Sequence, residues 1–167
     1  MKRTKKYFLH GFTLTELLAV VIIVSILSSI AAGTYKKAVE RSRFNDGLTI
    51  ATTIQEAADR YTYEHNGTST IDKSKLDMAF DNMKECSPVS SSCIQTNYFT
   101  VSLANGQTNA MRKTGLYQVR VYSGVIGSNT RTEPKCVGKQ AQGKNFCISV
   151  GYSSCTASGD WYVCSLP

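Results

Sequence analysis

Residues 11–32 read GFTLTELLAVVIIVSILSSIAA and form the longest apolar run of the chain. Glu16 is its only charged residue. As an α-helix, residues 12–32 would be about 31 Å long, which is enough to cross the hydrocarbon core of a bilayer. The apolar side chains cover every side of a helical wheel, so such a helix must be buried all round in lipid or in protein. The stretch therefore predicts one membrane-spanning helix near the N-terminus.

The flanks of this run bear on its processing and its orientation. Four basic residues precede it, namely Lys2, Arg3, Lys5 and Lys6. A secretory signal peptide begins in the same way, and residues 31–33 (Ala-Ala-Gly) resemble its cleavage site, but its apolar region usually has only about 7–15 residues. Basic residues also follow the run, so the positive-inside rule does not decide its orientation. All six cysteines lie after it, which predicts that this side is the oxidising one.

Composition narrows the class of protein further. Hydrophobic residues make up 42% of the 167 residues and charged residues 19%, which excludes a disordered chain. The 12 glycines follow no triplet period and no internal repeat is present, which excludes collagen and repeat arrays. Much of the net charge of +7 comes from the basic leader, so the remainder does not by itself indicate nucleic-acid binding.

Glu16 is the unusual residue of the apolar run. A carboxylate inside a membrane helix costs about 2.5–3.5 kcal/mol at the centre, and less near an end. Its neighbours one helical turn away are uncharged: Phe12, Thr13, Ala19 and Val20. Snorkelling to the interface is one way to lower this cost. The other, which we expect here, is a partner that comes from outside the segment.

Gly11, Phe12 and Glu16, after a short basic leader and before a long apolar run, resemble the N-terminus of type IV pilins and type II secretion pseudopilins. The resemblance covers about residues 1–35. It implies that a prepilin peptidase cuts between Gly11 and Phe12 and methylates the new N-terminal Phe12. It also implies a single-pass inner-membrane protein, which an assembly platform and an ATPase motor build into an extracellular or periplasmic filament.

The resemblance also implies a role in assembly for Glu16, which becomes the fifth residue of the mature chain. In the filament its carboxylate pairs with the Phe12 amine of a neighbouring subunit, since the methylated amine is still a cation. An unpaired charge in an apolar core is heavily penalised. The pairing would therefore set the axial register as the chain self-associates through helix packing.

The helical pattern continues beyond the membrane. Apolar residues recur at steps of three and four in one stripe, namely Phe44, Leu48, Ala51, Ile54, Ala58 and Tyr61. Asn66-Gly67 is a stop signal, so we expect one helix from about Phe12 to about His65. Gly33 stands near the position where many pilins have a proline, so no sharp kink is expected.

A second, short helix is predicted after Asp72. Asp72 is a good N-cap, and Ile71 and Leu76 have the spacing of a hydrophobic staple. The inner face of this helix would be formed by Leu76, Ala79, Phe80 and Met83. A polar loop, residues 87–92, would follow.

Strands are expected in the C-terminal half. Residues 98–103 and 116–122 alternate apolar and polar side chains, with a turn at Asn105-Gly106, and residues 146–150 and 161–164 predict two shorter strands. One-sided alternation indicates an antiparallel sheet of about four strands packed on the second half of the long helix.

The fold class is therefore α+β, with a long N-terminal helix whose first half spans the membrane, a small antiparallel sheet and a disulfide-stapled C-terminal region. The expected domains are a leader (1–11), a transmembrane or filament-core helix half (12–33) and a periplasmic or surface-exposed headpiece (34–167).

Six cysteines after the span predict disulfides, namely Cys86, Cys93, Cys136, Cys147, Cys155 and Cys164. Nearest-neighbour pairing and a crossed arrangement among the last four both remain open, because six cysteines allow 15 pairings. Zinc sites usually use pairs two to four residues apart, and these cysteines have no such pair, so we expect no metal.

No pattern indicates catalysis, and we expect neither an enzyme nor a cofactor. His10 lies in the leader, and His65 is the only other histidine. Asp77 and Asp81 would share a face of the predicted second helix, where a solvated surface is the simpler interpretation than an acid–base pair.

Three functions fit these observations: a type IV pilus subunit, a type II secretion pseudopilin, and a minor pilin that binds DNA or surfaces. Residues 112–144 hold seven bases and only one acid, Glu133, with Tyr117 and Tyr122 interleaved. That basic stretch keeps a nucleic-acid partner under consideration.

Overall fold

The computed structural model describes residues 12–67, 72–81, 83–86, 88, 90–104, 106–125 and 133–167. The described chain forms two compact units, which divide between Glu40 and Arg41. Helix α1 (Leu14–Glu64) begins in the first unit and ends in the second. The predicted helix is confirmed, and it begins two residues later and ends one residue earlier than expected.

The first unit is the apolar part of α1. Among the described residues, α1 is the one helix that is long and apolar enough to cross a membrane. No residue of its most apolar stretch is buried. Its hydroxyl groups turn back onto the helix, because Ser25 donates to the Ile22 carbonyl and Ser29 to the Ile26 carbonyl. Such bonds suit a lipid environment, where polar groups must find partners within the protein.

The C-terminal end of α1 is made by Asn66 and Gly67. Both have positive φ, 53° and 82°. The Gly67 amide donates to the Thr62 carbonyl at 2.9 Å, so this end of the helix is closed by a left-handed turn. The predicted stop signal is confirmed.

The second unit contains one eight-stranded sheet in the order β1-β2-β3-β4-β5-β6-β8-β7, with every neighbouring pair antiparallel. The strands are β1 (Lys84–Glu85), β2 (Cys93–Gln95), β3 (Phe99–Ala104), β4 (Gln107–Arg112), β5 (Tyr117–Tyr122), β6 (Lys135–Lys139), β7 (Ser154–Ser158) and β8 (Trp161–Ser165). A second helix, α2 (Gln140–Ser149), lies between β6 and β7 in sequence.

The core lies between the sheet and the second half of α1. The predicted stripe is buried at Phe44, Ala51, Ile54 and Ala58, while Leu48 packs against the core at its edge. The sheet contributes alternate residues, which are Phe99, Val101, Leu103, Ala110, Tyr117, Val119 and Val121. The predicted α+β class is confirmed.

The sheet has more strands than the predicted four. β1 and β2 are too short to show alternation, and in β4, β6 and β7 the alternation is weak. β4 reads QTNAMR, and its buried positions include Thr108 and Arg112. β7 reads SCTAS, and nearly all of it is exposed. These strands form by pairing with neighbouring strands, because the polarity of their side chains does not alternate clearly enough to predict them from sequence.

The strand predicted at residues 146–150 is wrong, because these residues belong mostly to α2. Gly143 and Cys147, four residues apart, are the buried positions of α2, and Phe146 stacks on Tyr117 with ring centroids 4.3 Å apart. The spacing of four is helical. Residues 146, 148 and 150 are apolar and alternate with cysteine and serine, and that alternation alone favours a strand.

The predicted second helix is also wrong, since the described residues of this segment form a 3-10 turn at Lys73–Lys75 and no α-helix. Asp72 does cap it, accepting from the Ser74 amide at 3.0 Å. Leu76 is extended, with φ −81° and ψ 141°, and is buried. The segment therefore brings Leu76 into the core in an extended conformation, without a helix. Some predicted turn and loop positions lie outside the described residues, namely Ile71, Ser87, Val89 and Asn105.

Candidate functional site

The candidate site is the first turn of α1, where Thr13 and Glu16 form a capping box. Glu16 Oε2 accepts from the Thr13 amide at 2.9 Å and from the Thr13 hydroxyl at 2.7 Å. In return, the Glu16 amide donates to Thr13 Oγ1 at 3.2 Å. These bonds satisfy backbone donors that a helix N-terminus otherwise leaves open, and the carboxylate lies at the positive end of the helix dipole.

This geometry corrects the expectation that the Glu16 partner must come from outside the segment. Thr13 supplies a local hydrogen-bond partner, and the sequence signal was present as Thr-x-x-Glu before an apolar run. The Thr13 amide and hydroxyl are neutral partners, so they supply hydrogen bonds but no counter-charge. Within the described residues no cation lies in ion-pair contact with Glu16, so its charge is not neutralised by a side chain there.

The residues around the box are open to the surroundings. Phe12 is 78% exposed and Leu14 is 82% exposed. Gly11, the other half of the predicted cleavage bond, lies outside the described residues. The Thr13 amide belongs to the Phe12–Thr13 peptide, so a cut between Gly11 and Phe12 would leave the capping box complete.

The cysteines form a second feature, in the other unit. The structure pairs Cys86 with Cys93, Cys136 with Cys147, and Cys155 with Cys164. This is the nearest-neighbour arrangement rather than the crossed one. The bonds join the end of β1 to β2, β6 to α2, and β7 to β8, so each one ties a short element to its neighbour in the C-terminal half of the chain.

We expect all six thiols to be oxidised in the mature protein, because no cysteine is free in the structure. Alkylation of denatured, unreduced protein should add no label, and prior reduction should allow six additions by mass. Labelling without reductant, together with bound zinc, would contradict the disulfides.

The two carboxylates considered for acid–base chemistry do not share a helix face, since no helix forms there. Asp77 instead accepts two hydrogen bonds from the Arg60 guanidinium, both at 2.8 Å. These bonds hold the pKa of the Asp77 carboxyl below its usual value. His65 stacks on Tyr61 at 3.8 Å between ring centroids. Both contacts stabilise the C-terminal end of α1, and neither resembles a catalytic arrangement.

A polar network that the sequence did not reveal ties α1 to the sheet. Asp59 accepts from the Ser123 hydroxyl at 2.7 Å and from the Gly124 amide at 3.1 Å. Gln55 donates to Asp59 and accepts from Thr108. The sheet residues lie 53 to 65 positions from their partners on α1, so only the fold brings the two groups together.

Comparison with known protein families identifies a motif at the start of α1. The family model of the prokaryotic N-terminal methylation motif matches residues 10–32. No solved structure matches the chain. The motif indicates a structural subunit rather than an enzyme, and its apolar helix suits a single-pass membrane anchor. The chain therefore carries the prepilin-type methylation motif that is the N-terminal signature of type IV pilins and pseudopilins.

Proposed function

We propose that the chain is the structural subunit of a type IV pilus-like filament. The observation that carries this proposal is the combination, in one register, of the methylation motif, a capped glutamate and a helix that is apolar on every side. A helix of this kind needs an apolar environment in both of its states. Lipid provides that environment before assembly, and the helices of neighbouring subunits provide it afterwards.

The proposal divides the chain by role. Residues 1–11 are the leader, residues 12–33 hold the chain in the inner membrane and later in the filament core, and residues 34–167 form the headpiece outside. A prepilin peptidase removes the leader and methylates Phe12. An inner-membrane platform and its ATPase motor then extract the processed chain from the bilayer into the filament.

Glu16 and Phe12 act between subunits in this proposal. Thr13 holds Oε2 of Glu16, so the carboxylate is fixed at the start of the helix before assembly. The Phe12 amine of a neighbouring subunit then supplies the opposite charge. A carboxylate that is already oriented loses less conformational freedom on pairing than a mobile one does.

Leader removal is the direct test of processing. Intact-mass analysis of protein extracted from membranes should show loss of residues 1–11 and one added methyl group on Phe12. The same measurement in cells that lack the peptidase should return the full chain. A mature protein that retains its leader, or that begins near Gly33, would contradict the proposal.

A type II secretion pseudopilin is the alternative within the same motif. The three disulfides favour a pilin slightly, because they suit an exposed C-terminal region on a surface filament. Deletion of the gene separates the two functions. Loss of sheared surface filaments with secretion intact supports the pilus, and loss of secretion without loss of filaments supports the pseudopilus.

A further inference from the structure

The sheet has a second face, which points away from both helices. Its strands turn alternate residues to this side, because their other residues lie in the core or in the disulfides that join β6 to α2 and β7 to β8. In the middle of the sheet this outward face comprises Gln118, Arg120 and Tyr122 of β5, Lys135, Val137 and Lys139 of β6, and Trp161, Val163 and Ser165 of β8. Gln118 and Val137 lie between the charged positions and are buried, so the accessible part of the face is the larger side chains around them.

The charges on these nine positions are of one sign. Arg120, Lys135 and Lys139 are basic, and none of the nine is acidic. Arg120 lies directly opposite Lys135 in the register of β5 and β6. Like charges in directly opposed positions of a sheet are destabilising, so this pair is expected to lower the stability of the sheet.

The hydrogen-bond partners of these two cations are not carboxylates, so they do not neutralise the repulsion between the cations. Arg120 donates to the Asn109 side-chain oxygen at 3.0 Å, and Lys135 donates to the Ser165 hydroxyl at 3.0 Å. Both partners are neutral. In the part of the chain that the structure describes, neither cation forms an ion pair with a carboxylate.

Two acids lie near the ends of these strands. Asp160 occupies the turn before β8, and Glu133 precedes β6. Neither acid is one of the nine outward positions.

Two aromatic side chains lie beside the basic residues, one next to Lys139 and one next to Arg120. Trp161 lies opposite Lys139 in register, with the ammonium nitrogen 5.9 Å from the ring centroid. Tyr122 follows Arg120 by two residues on β5 and so shares its face. Lys135 and Lys139 are about 13 Å apart along β6 at about 3.3 Å per residue. Lys139 is exposed and the other four side chains are half-buried. The cations therefore form a row with an aromatic ring at each end.

We propose that this basic sheet face, defined as Arg120, Tyr122, Lys135, Lys139 and Trp161, binds single-stranded nucleic acid. Its cations would hold phosphates of one strand at two places along the face, and its two rings would stack on unpaired bases. Both contacts are typical of proteins that bind single strands, and base faces are open to such stacking only when the strand is unpaired. An acidic protein surface would use the cations but would leave the two rings without a role.

The test uses the processed full chain in a neutral detergent and a fluorescent thymidine 20-mer, with fluorescence anisotropy as the readout. Three phosphate contacts predict a salt slope of about −2 in a plot of log K against log salt concentration. The double variant Arg120→Gln/Lys135→Gln should bind about 25-fold more weakly at about 0.1 M salt, with a slope of about −0.7. Trp161→Leu should weaken binding at least about 5-fold.

The matched control is Lys84→Gln/Lys113→Gln, which removes the same charge from positions outside the face and should bind like the wild type. The thermal midpoint of the Arg120→Gln/Lys135→Gln variant should equal or exceed that of the wild type, because a like-charge pair is removed.

Several outcomes would overturn the proposal. One is no binding of the 20-mer, or equal loss in the control variant. Tighter binding of a duplex of the same length would also overturn it, as would equal binding of heparin that Trp161→Leu does not affect. Loss of self-association in the double variant, without oligonucleotide binding, would assign the face to a second copy of the chain instead.

Discussion

Glu16→Ala is expected to leave the membrane-inserted chain at wild-type levels and to remove most filaments. The substitution lowers the cost of placing the helix in lipid, so the inner-membrane pool should persist. It also leaves the Phe12 amine of the adjacent subunit without its counter-charge, and loss of one partner of a desolvated ion pair costs about 3–5 kcal/mol. A filament repeats this contact along its length. The measurement compares sheared filaments with the membrane fraction.

The capping box makes Glu16→Gln the sharper variant. Glutamine can still accept from the Thr13 amide and complete the box, so the variant removes the charge and keeps the local helix start. It should fail to assemble as Glu16→Ala does. Thr13→Val is the matched control for the cap, because it removes the hydroxyl and keeps both the amide and the carboxylate.

Thr13→Val should therefore reduce assembly only mildly, in line with a cap contribution of about 1 kcal/mol. Wild-type filament levels in both Glu16 variants would show that Glu16 does not set the register. Loss of filaments in Thr13→Val, with wild-type levels in Glu16→Gln, would assign the role of Glu16 to the cap alone.

Gly143→Ala is expected to destabilise the headpiece by about 3 kcal/mol, at the upper end of the usual cost of overpacking. A Cβ atom at Gly143 would meet the Leu116 carbonyl oxygen and would lie 2.6 Å from the Gly138 carbonyl carbon. Both neighbours are backbone atoms of the sheet and its entry, so neither can turn aside as a side chain would. The thermal midpoint of the detergent-extracted chain, followed by fluorescence of the single Trp161, should fall by about 10 °C.

Two further glycine variants test this explanation. Gly138→Ala should behave like Gly143→Ala, because its Cβ would overlap the backbone of Gly143. Gly33→Ala should be neutral or slightly stabilising, since no heavy atom lies within 4 Å of its Cβ position and alanine favours a helix by about 1 kcal/mol. A wild-type midpoint for Gly143→Ala would mean that α2 does not approach β6 this closely.

Features that depend on nearby residues could be predicted from the amino-acid sequence. The apolar run after Glu16 predicts a membrane-spanning helix because no part of its surface suits water. The stripe from Phe44 to Ala58 predicts a buried helix face, and Asn66-Gly67 predicts its end. The strands at β3, β5 and β8 follow from alternation alone. The register of Gly11, Phe12 and Glu16 pointed to the family for the same reason, since its spacing is local.

Features that depend on partners far away in the chain became visible only in the folded structure. β4 and β7 are strands because their backbones pair with neighbours, although their side chains carry little alternation. Residues 146–149 form part of a helix because Cys147 and Gly143 pack against β6. Arg120 and Lys135 become neighbours only when β5 and β6 pair. A sequence pattern reports local preference, whereas pairing and packing energies depend on which distant segments the fold brings into contact.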